Sequence, residues 1–184
     1  WLDEKLTGIF RGELVVIGGE SGTGKTTFAT NIIYKNAEKR KCYIFALEDR
    51  LNHYGAKLLY FKINSYRKEK NQKFYTWNQF IRNEIKDKEY LELHHKAREE
   101  LKNDNIEFYA AEDTMTVEKL EAVIEKKVAE GVELFLIDHL HYFDLSRGDS
   151  TKEAYVEKVM ITIKTIQNRT GARILLIVHY RKLN

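Results

Sequence analysis

The sequence predicts an α/β fold of three layers, α/β/α, built around a mainly parallel central sheet. Three observations predict it. Short, nearly continuous apolar runs alternate with longer stretches of helical periodicity, the pattern of strands buried on both faces and joined by right-handed helical crossovers. A glycine-rich loop separates the first run from the first helix. Three of the runs end on a side chain with useful chemistry, Glu48, Asp138 or His179, at the carboxyl edge where open α/β sheets bind ligands.

Trp1 to Phe10 is a short lead-in with Leu2, Leu6, Ile9 and Phe10 apolar, and Gly8 marks a turn. A chain that opens on tryptophan reads as cut from something larger. Glu13–Ile17 is the first strand. Thr26 to Lys39 is a helix with Ala29, Ile32, Ile33 and Ala37 on one side. Cys42–Leu47 is the second strand and ends at Glu48-Asp49. From Arg50 to about Asn103 the pattern is mostly helical. Tyr54, Leu58 and Phe61 form one face, Trp77, Phe80, Ile81 and Ile85 another, and the basic stretch Ser65 to Lys73 reads as a loop.

Ile106–Ala110 is a third strand. Thr116 caps a helix with Glu118 in its first turn and Val117, Leu120, Ile124 and Val128 inward, closed by Gly131. Leu134–Asp138 is the fourth strand and Ser146–Ser150 a turn-rich loop. A helix with Val156, Val159, Met160, Ile163 and Ile166 inward closes at Gly171, and Arg173–Val178 is the fifth strand, ending in His179.

Composition limits the alternatives. A chain of 184 residues is one domain by the prior of ~150 residues each, and buries about 70% of its unfolded surface without staples. The single cysteine, Cys42, has no internal disulfide partner and sits in an apolar run as core filler, which suits a reducing, cytoplasmic setting. No run approaches the ~20 apolar residues of a membrane span, and no signal-peptide pattern is evident. A net charge of +3 is too mild to demonstrate a nucleic-acid partner and does not exclude a local basic groove. Proline is absent, so there is no proline-rich linker.

The chemistry centres on Gly19, Glu20, Ser21, Gly22, Thr23, Gly24, Lys25, Thr26 and Thr27. From Gly19 this run fits G-x-x-x-x-G-K-[ST] at every fixed position. Glycines let the backbone curl and approach a ligand, so that successive N–H groups form an anion-binding nest at the positive end of a helix. Lys25 can reach the β- and γ-phosphates, and the Thr26 hydroxyl can sit on Mg²⁺. Asp138, ending an apolar run, has the pattern of a Walker B aspartate that holds Mg²⁺ through its water shell. Hydrolysis of ATP also needs a base beside the attacking water. The residue after Asp138 is His139, so the nearest carboxylate is Glu48 at a neighbouring strand tip, with Asp49 the alternative. His179 is placed to touch the γ-phosphate and report its loss. His139 and His141 lack a cysteine cluster beside them, which argues against zinc at that pair; one of them is expected to bond locally near the nucleotide. Arg147, in the loop after the fourth strand, reads first as a solvated arginine and second as a residue that a gripped nucleic-acid strand would meet. Arg67, Lys68, Lys70 and Lys73, among Tyr66, Phe74, Tyr75 and Trp77, read first as a solvated face beside a helix-packing cluster and second as a nucleic-acid contact.

These pieces resemble the RecA-like P-loop ATPase domain of DnaB-family replicative helicases. The likeness lies in Leu6–Leu14, in Gly24–Ile32, in Phe45–Glu48, in Met115–Glu118, in Ile137–His141 and in Val178–Lys182. It runs along the whole chain, 1–184, with a mainly helical insert at 50–104, and is specific in the phosphate loop. The resemblance implies a hexameric ring that hydrolyses ATP with Mg²⁺ at subunit interfaces and translocates on single-stranded DNA, with a primase or helicase loader as further partners. It implies a sheet in which the fifth strand lies between the first and fourth, and the second flanks the fourth. The family often has glutamine where this chain has His179. Its N-terminal partner-binding domain, arginine finger and main DNA-binding loop fall outside these 184 residues. RecA/RadA recombinases and KaiC-like ATPases share the core. A small-molecule kinase or a nucleotide-binding assembly switch is the alternative from another class.

Overall fold

The computed structural model describes residues 8–48, 50–102, 105–110, 115–139 and 152–179. They form a parallel five-stranded sheet in the order β1-β5-β4-β2-β3, with β1 at Leu14–Gly19, β2 at Lys41–Ala46, β3 at Ile106–Ala110, β4 at Val132–Asp138 and β5 at Arg173–His179. This is the strand order the resemblance implies. The helices are α1 (Lys25–Ala37), α2 (Leu51–Glu69), α3 (Trp77–Ile81), α4 (Lys88–Leu101), α5 (Val117–Ala129) and α6 (Lys152–Thr170).

Alternation along the strands divides the core into two layers. Tyr43, Phe45, Phe135, Ile137, Ile174 and Leu176 face α5 and α6, meeting Leu120, Ile124, Val159, Ile163 and Ile166. Cys42, Ile44, Leu134, Leu136, Leu175 and Ile177 face α1, meeting Ala29, Ile33 and Ala37, with Tyr54 of α2 completing that side. Thr116 caps α5 as predicted, its side chain accepting from the Lys119 N–H, and Gly131 and Gly171 follow the two helices with positive φ.

Burial raises the Cys42 thiol to about 12, and its Sγ points at the Arg40 and Ile33 carbonyls. The reactive thiolate is therefore scarce. A maleimide or disulfide reagent near neutral pH is expected to leave Cys42 unmodified in the native chain and to label it fully in denaturant; rapid native labelling would place the thiol outside the core.

Two predicted features between residues 50 and 104 are corrected. The basic stretch from Ser65 is not a loop up to Glu69: α2 continues to that residue, because Ile63 and Tyr66 supply a buried face against Ile85, Tyr90, Leu93 and Ala97 while the basic residues lie outside it. Ile81 is not part of an inward face. The helix there lasts five residues, Ile81 is exposed, and Ile85 lies beyond the helix end. Asn64 clamps the chain that follows α2. Its Oδ1 accepts from the Tyr75 N–H at 2.9 Å and its Nδ2 donates to the Tyr75 carbonyl at 3.1 Å. The Arg67 guanidinium stacks 4.0 Å from the Tyr75 ring centre, and both Arg67 and Lys70 pair with Glu89. Lys70 is solvated, as the first of the two readings expects, whereas Arg67 is drawn into the packing of this segment.

Candidate nucleotide-binding site

The loop between β1 and α1 is shaped by two residues in the left-handed region, Gly22 at φ +78° and Gly24 at φ +87°, where a Cβ would be strained. Gly24 is the N-cap of α1, and its carbonyl accepts from the Phe28 N–H at 2.9 Å. The turn is braced through one carbonyl. Thr23 Oγ1 and Lys25 Nζ both donate to the Glu20 oxygen, at 2.8 and 2.6 Å. Lys25 is almost fully buried, its stem packed beside Gly19: a Cβ there would lie 3.0 Å from Thr23 Oγ1 and 3.3 Å from Lys25 Cδ.

Ser21, Gly22, Gly24, Lys25, Thr26 and Thr27 form one wall of a cavity of ≈ 430 Å³, a volume in the range of small-ligand sites. Glu48 from the tip of β2 and His179 from the tip of β5 form another part of it. Of the residues predicted to contact phosphate, Gly19, Glu20 and Thr23 do not line this cavity: Gly19 is buried, Glu20 half-buried and Thr23 exposed.

The register explains why distant residues converge. Gly19 pairs with His179, and Ala46 with Asp138. The N–H groups of Leu47 and Glu48 both donate to the Asp138 carbonyl, at 2.9 and 3.2 Å, which ties the β2 tip to the β4 tip. His139, joined to Asp138 by a cis peptide, is buried and holds Nε2 3.1 Å from Glu48 Oε2. His179 Nε2 lies 3.5 Å from the same oxygen, and the two imidazole rings are 4.2 Å apart. His139 thus makes a local contact with the Glu48 carboxylate.

Asp138 is fully buried and lies behind the cavity wall. Its Oδ2 accepts from the Tyr54 hydroxyl at 2.7 Å. Thr26, on the wall, is the second residue of α1. Hard divalent cations take oxygen ligands, and this hydroxyl and carboxylate, on elements that meet at the loop, fit Mg²⁺ by donor type.

The helical segment after β2 closes the cavity with residues that sequence reasoning did not place there. His53 and Lys57 of α2, and Trp77 of α3, line it. Lys57 is only 3% exposed, with Nζ 5.4 Å from the centre of the Tyr54 ring. His53 and Trp77 stack at 6.2 Å. The available signal was positional: Tyr54 and Lys57 are one helical turn apart, starting six residues after Glu48. Asp49, His141 and Arg147 lie outside the described residues.

Comparison with known proteins follows the same lines. A comparison with curated proteins gave no match. A DnaB-like replicative helicase, whose structure addresses its interactions with primase, superposes at a TM-score of 0.80 with 14% identity, covering 98% of this chain and 42% of that one. An ATPase domain superposes at 0.80 with 15% identity, covering 98% of this chain and 62% of that one. A KaiC-like protein from Pyrococcus horikoshii OT3 gives 0.60 with 22% identity, covering 99% and 68%. The chain therefore spans less than two thirds of the first two of these structures, and at these identities they establish the shared α/β fold. The family model of the DnaB-like helicase C-terminal domain matches residues 1–180, and the chain belongs to that family.

Proposed function

We propose that this chain is the ATP-hydrolysing motor domain of a hexameric, cytoplasmic DnaB-like replicative DNA helicase, coupling hydrolysis to movement on single-stranded DNA. The observation that carries the reading is Glu48, held between two histidines at the tip of β2 and sharing one cavity with the phosphate loop. The loop amides and Lys25 bind the polyphosphate. Glu48 accepts the proton of the attacking water, which is general-base catalysis. His179, in register with Gly19 at the end of β1, senses the γ-phosphate. Thr26 and, through water, Asp138 would hold Mg²⁺, which when bound neutralises charge on the phosphates.

A hexamer supplies what these residues lack. An arginine finger from a neighbouring subunit is worth about 10³–10⁵ in rate. The 184-residue chain by itself is expected to bind nucleotide, hydrolyse it slowly and unwind nothing. The deciding measurement is the ATPase rate of the full-length protein with and without single-stranded DNA. Stimulation supports the motor. An unresponsive rate favours a nucleotide-binding assembly switch, and rapid DNA-stimulated turnover by the 184-residue chain alone would contradict the need for neighbours.

A further inference from the structure

The same three side chains have a second chemistry. Glu48, His139 and His179 each offer one donor atom, and the three atoms all lie within 4.8 Å of one another. Two of the separations, both to Glu48 Oε2, are 3.1 and 3.5 Å. Four ligands at the ~2.0–2.1 Å of zinc–nitrogen and zinc–oxygen bonds stand about 3.3 Å apart at tetrahedral angles. Two edges of the triangle therefore match a metal site within a few tenths of an ångström. His179 Nε2 is buried and makes no hydrogen bond among the described residues, although it faces the carboxylate. The donors come from three adjacent strands of one sheet, β5, β4 and β2, at or just past their ends, so the backbone fixes their spacing.

We propose that Glu48, His139 and His179 form a binding site for a divalent transition-metal ion, zinc first among them, separate from the oxygen-donor site for Mg²⁺. Two imidazoles and one carboxylate suit zinc, cobalt, nickel or copper and disfavour magnesium. Three protein ligands leave an open position for water. The histidine pair predicted to be poor zinc ligands, His139 with His141, differs from this set; the fold brings His179 in from forty residues away in sequence. Binding has a consequence that rests on the hydrolysis reading above. A carboxylate that donates a lone pair to a metal is a weaker base toward water, so the bound ion is expected to suppress the hydrolytic step.

Co²⁺ is the probe, because its visible absorption reports coordination without any turnover. The chain, stripped of metal with chelator and free of nucleotide, is titrated with Co²⁺ and then with Zn²⁺. One Co²⁺ per chain with the intense bands of a four- or five-coordinate ion, displaced by Zn²⁺, is expected. His139→Ala and, in case that buried site tolerates change poorly, His179→Gln are each expected to weaken binding by at least about 10–100-fold, the loss typical of perturbing a metal's ligand shell. Thr26→Ala, which touches only the oxygen-donor site, is expected to bind Co²⁺ normally. Absence of the bands, or bands that survive both histidine substitutions, overturns the site and shows that the histidines serve Glu48 by hydrogen bonding alone. In a second arm, buffered free Zn²⁺ is added to the full-length protein hydrolysing ATP with Mg²⁺, and inhibition reversed by chelator is expected. Zn²⁺ that binds without inhibiting breaks the link to Glu48. A protein that binds Co²⁺ through its histidines yet never hydrolyses ATP retains the site and defeats the hydrolysis reading instead.

Discussion

Glu48→Gln is expected to leave the affinity for Mg–ATP in place and to lower the turnover of the full-length protein by about 10²–10⁴-fold, the usual contribution of a positioned general base. The substitution suits the question because an amide keeps the size of the carboxylate. Its oxygen can still accept from the His139 side, now 3.1 Å from Glu48 Oε2, and the backbone bonds that tie Leu47 and Glu48 to Asp138 are untouched. What is lost is basicity. Nucleotide affinity is read by fluorescence titration and turnover by phosphate release. Equal loss in both would mean that the side chain holds nucleotide instead of activating water. Unchanged turnover would mean that the base is elsewhere, with Asp49 next to be tested.

Lys25→Ala is expected to have the other large effect, this time on binding. A ligand present at a hundred times its Kd stabilises a protein by about 2.7 kcal/mol, which for a chain of this size is a shift of roughly 5–10 °C in Tm. The wild-type chain is expected to show that shift with Mg–ATP and the variant to show none. The fold itself has reason to survive. Thr23 Oγ1 still donates to the Glu20 carbonyl, and Gly22 and Gly24 still set the turn. In the present structure Lys25 Nζ is spent on that carbonyl at 2.6 Å, so a polyphosphate must win the ammonium from the loop's own backbone. A variant that shifts as much as wild type would remove Lys25 from the site.

Much of this was legible because the strongest signals are local. Cys42–Leu47 and Leu134–Asp138 read as buried strands from their unbroken apolar character, and the phosphate loop from glycine spacing. Thr116 followed by Glu118 marked a helix start that the structure reproduces. Resemblance supplied the strand order, which no local pattern encodes. What stayed hidden depended on side chains meeting across the sheet. The continuation of α2 through Ser65 was masked by a basic outer face, since charge density says little about whether Ile63 and Tyr66 are covered. Trp77 read as one of four residues of a packing face, and its place against His53 on the cavity wall requires the return of the chain after α2. Lys57 gave no sign of burial, because lysine rarely goes under unless another group meets it.

The hydrogen bond from Tyr54 to Asp138 links the first turn of α2 to the end of β4. Tilting the start of that helix would stretch or break this contact to the aspartate. A push on the outer helical segment would reach the phosphate end of the sheet partly through this carboxylate and partly through the packing of α2 on α1.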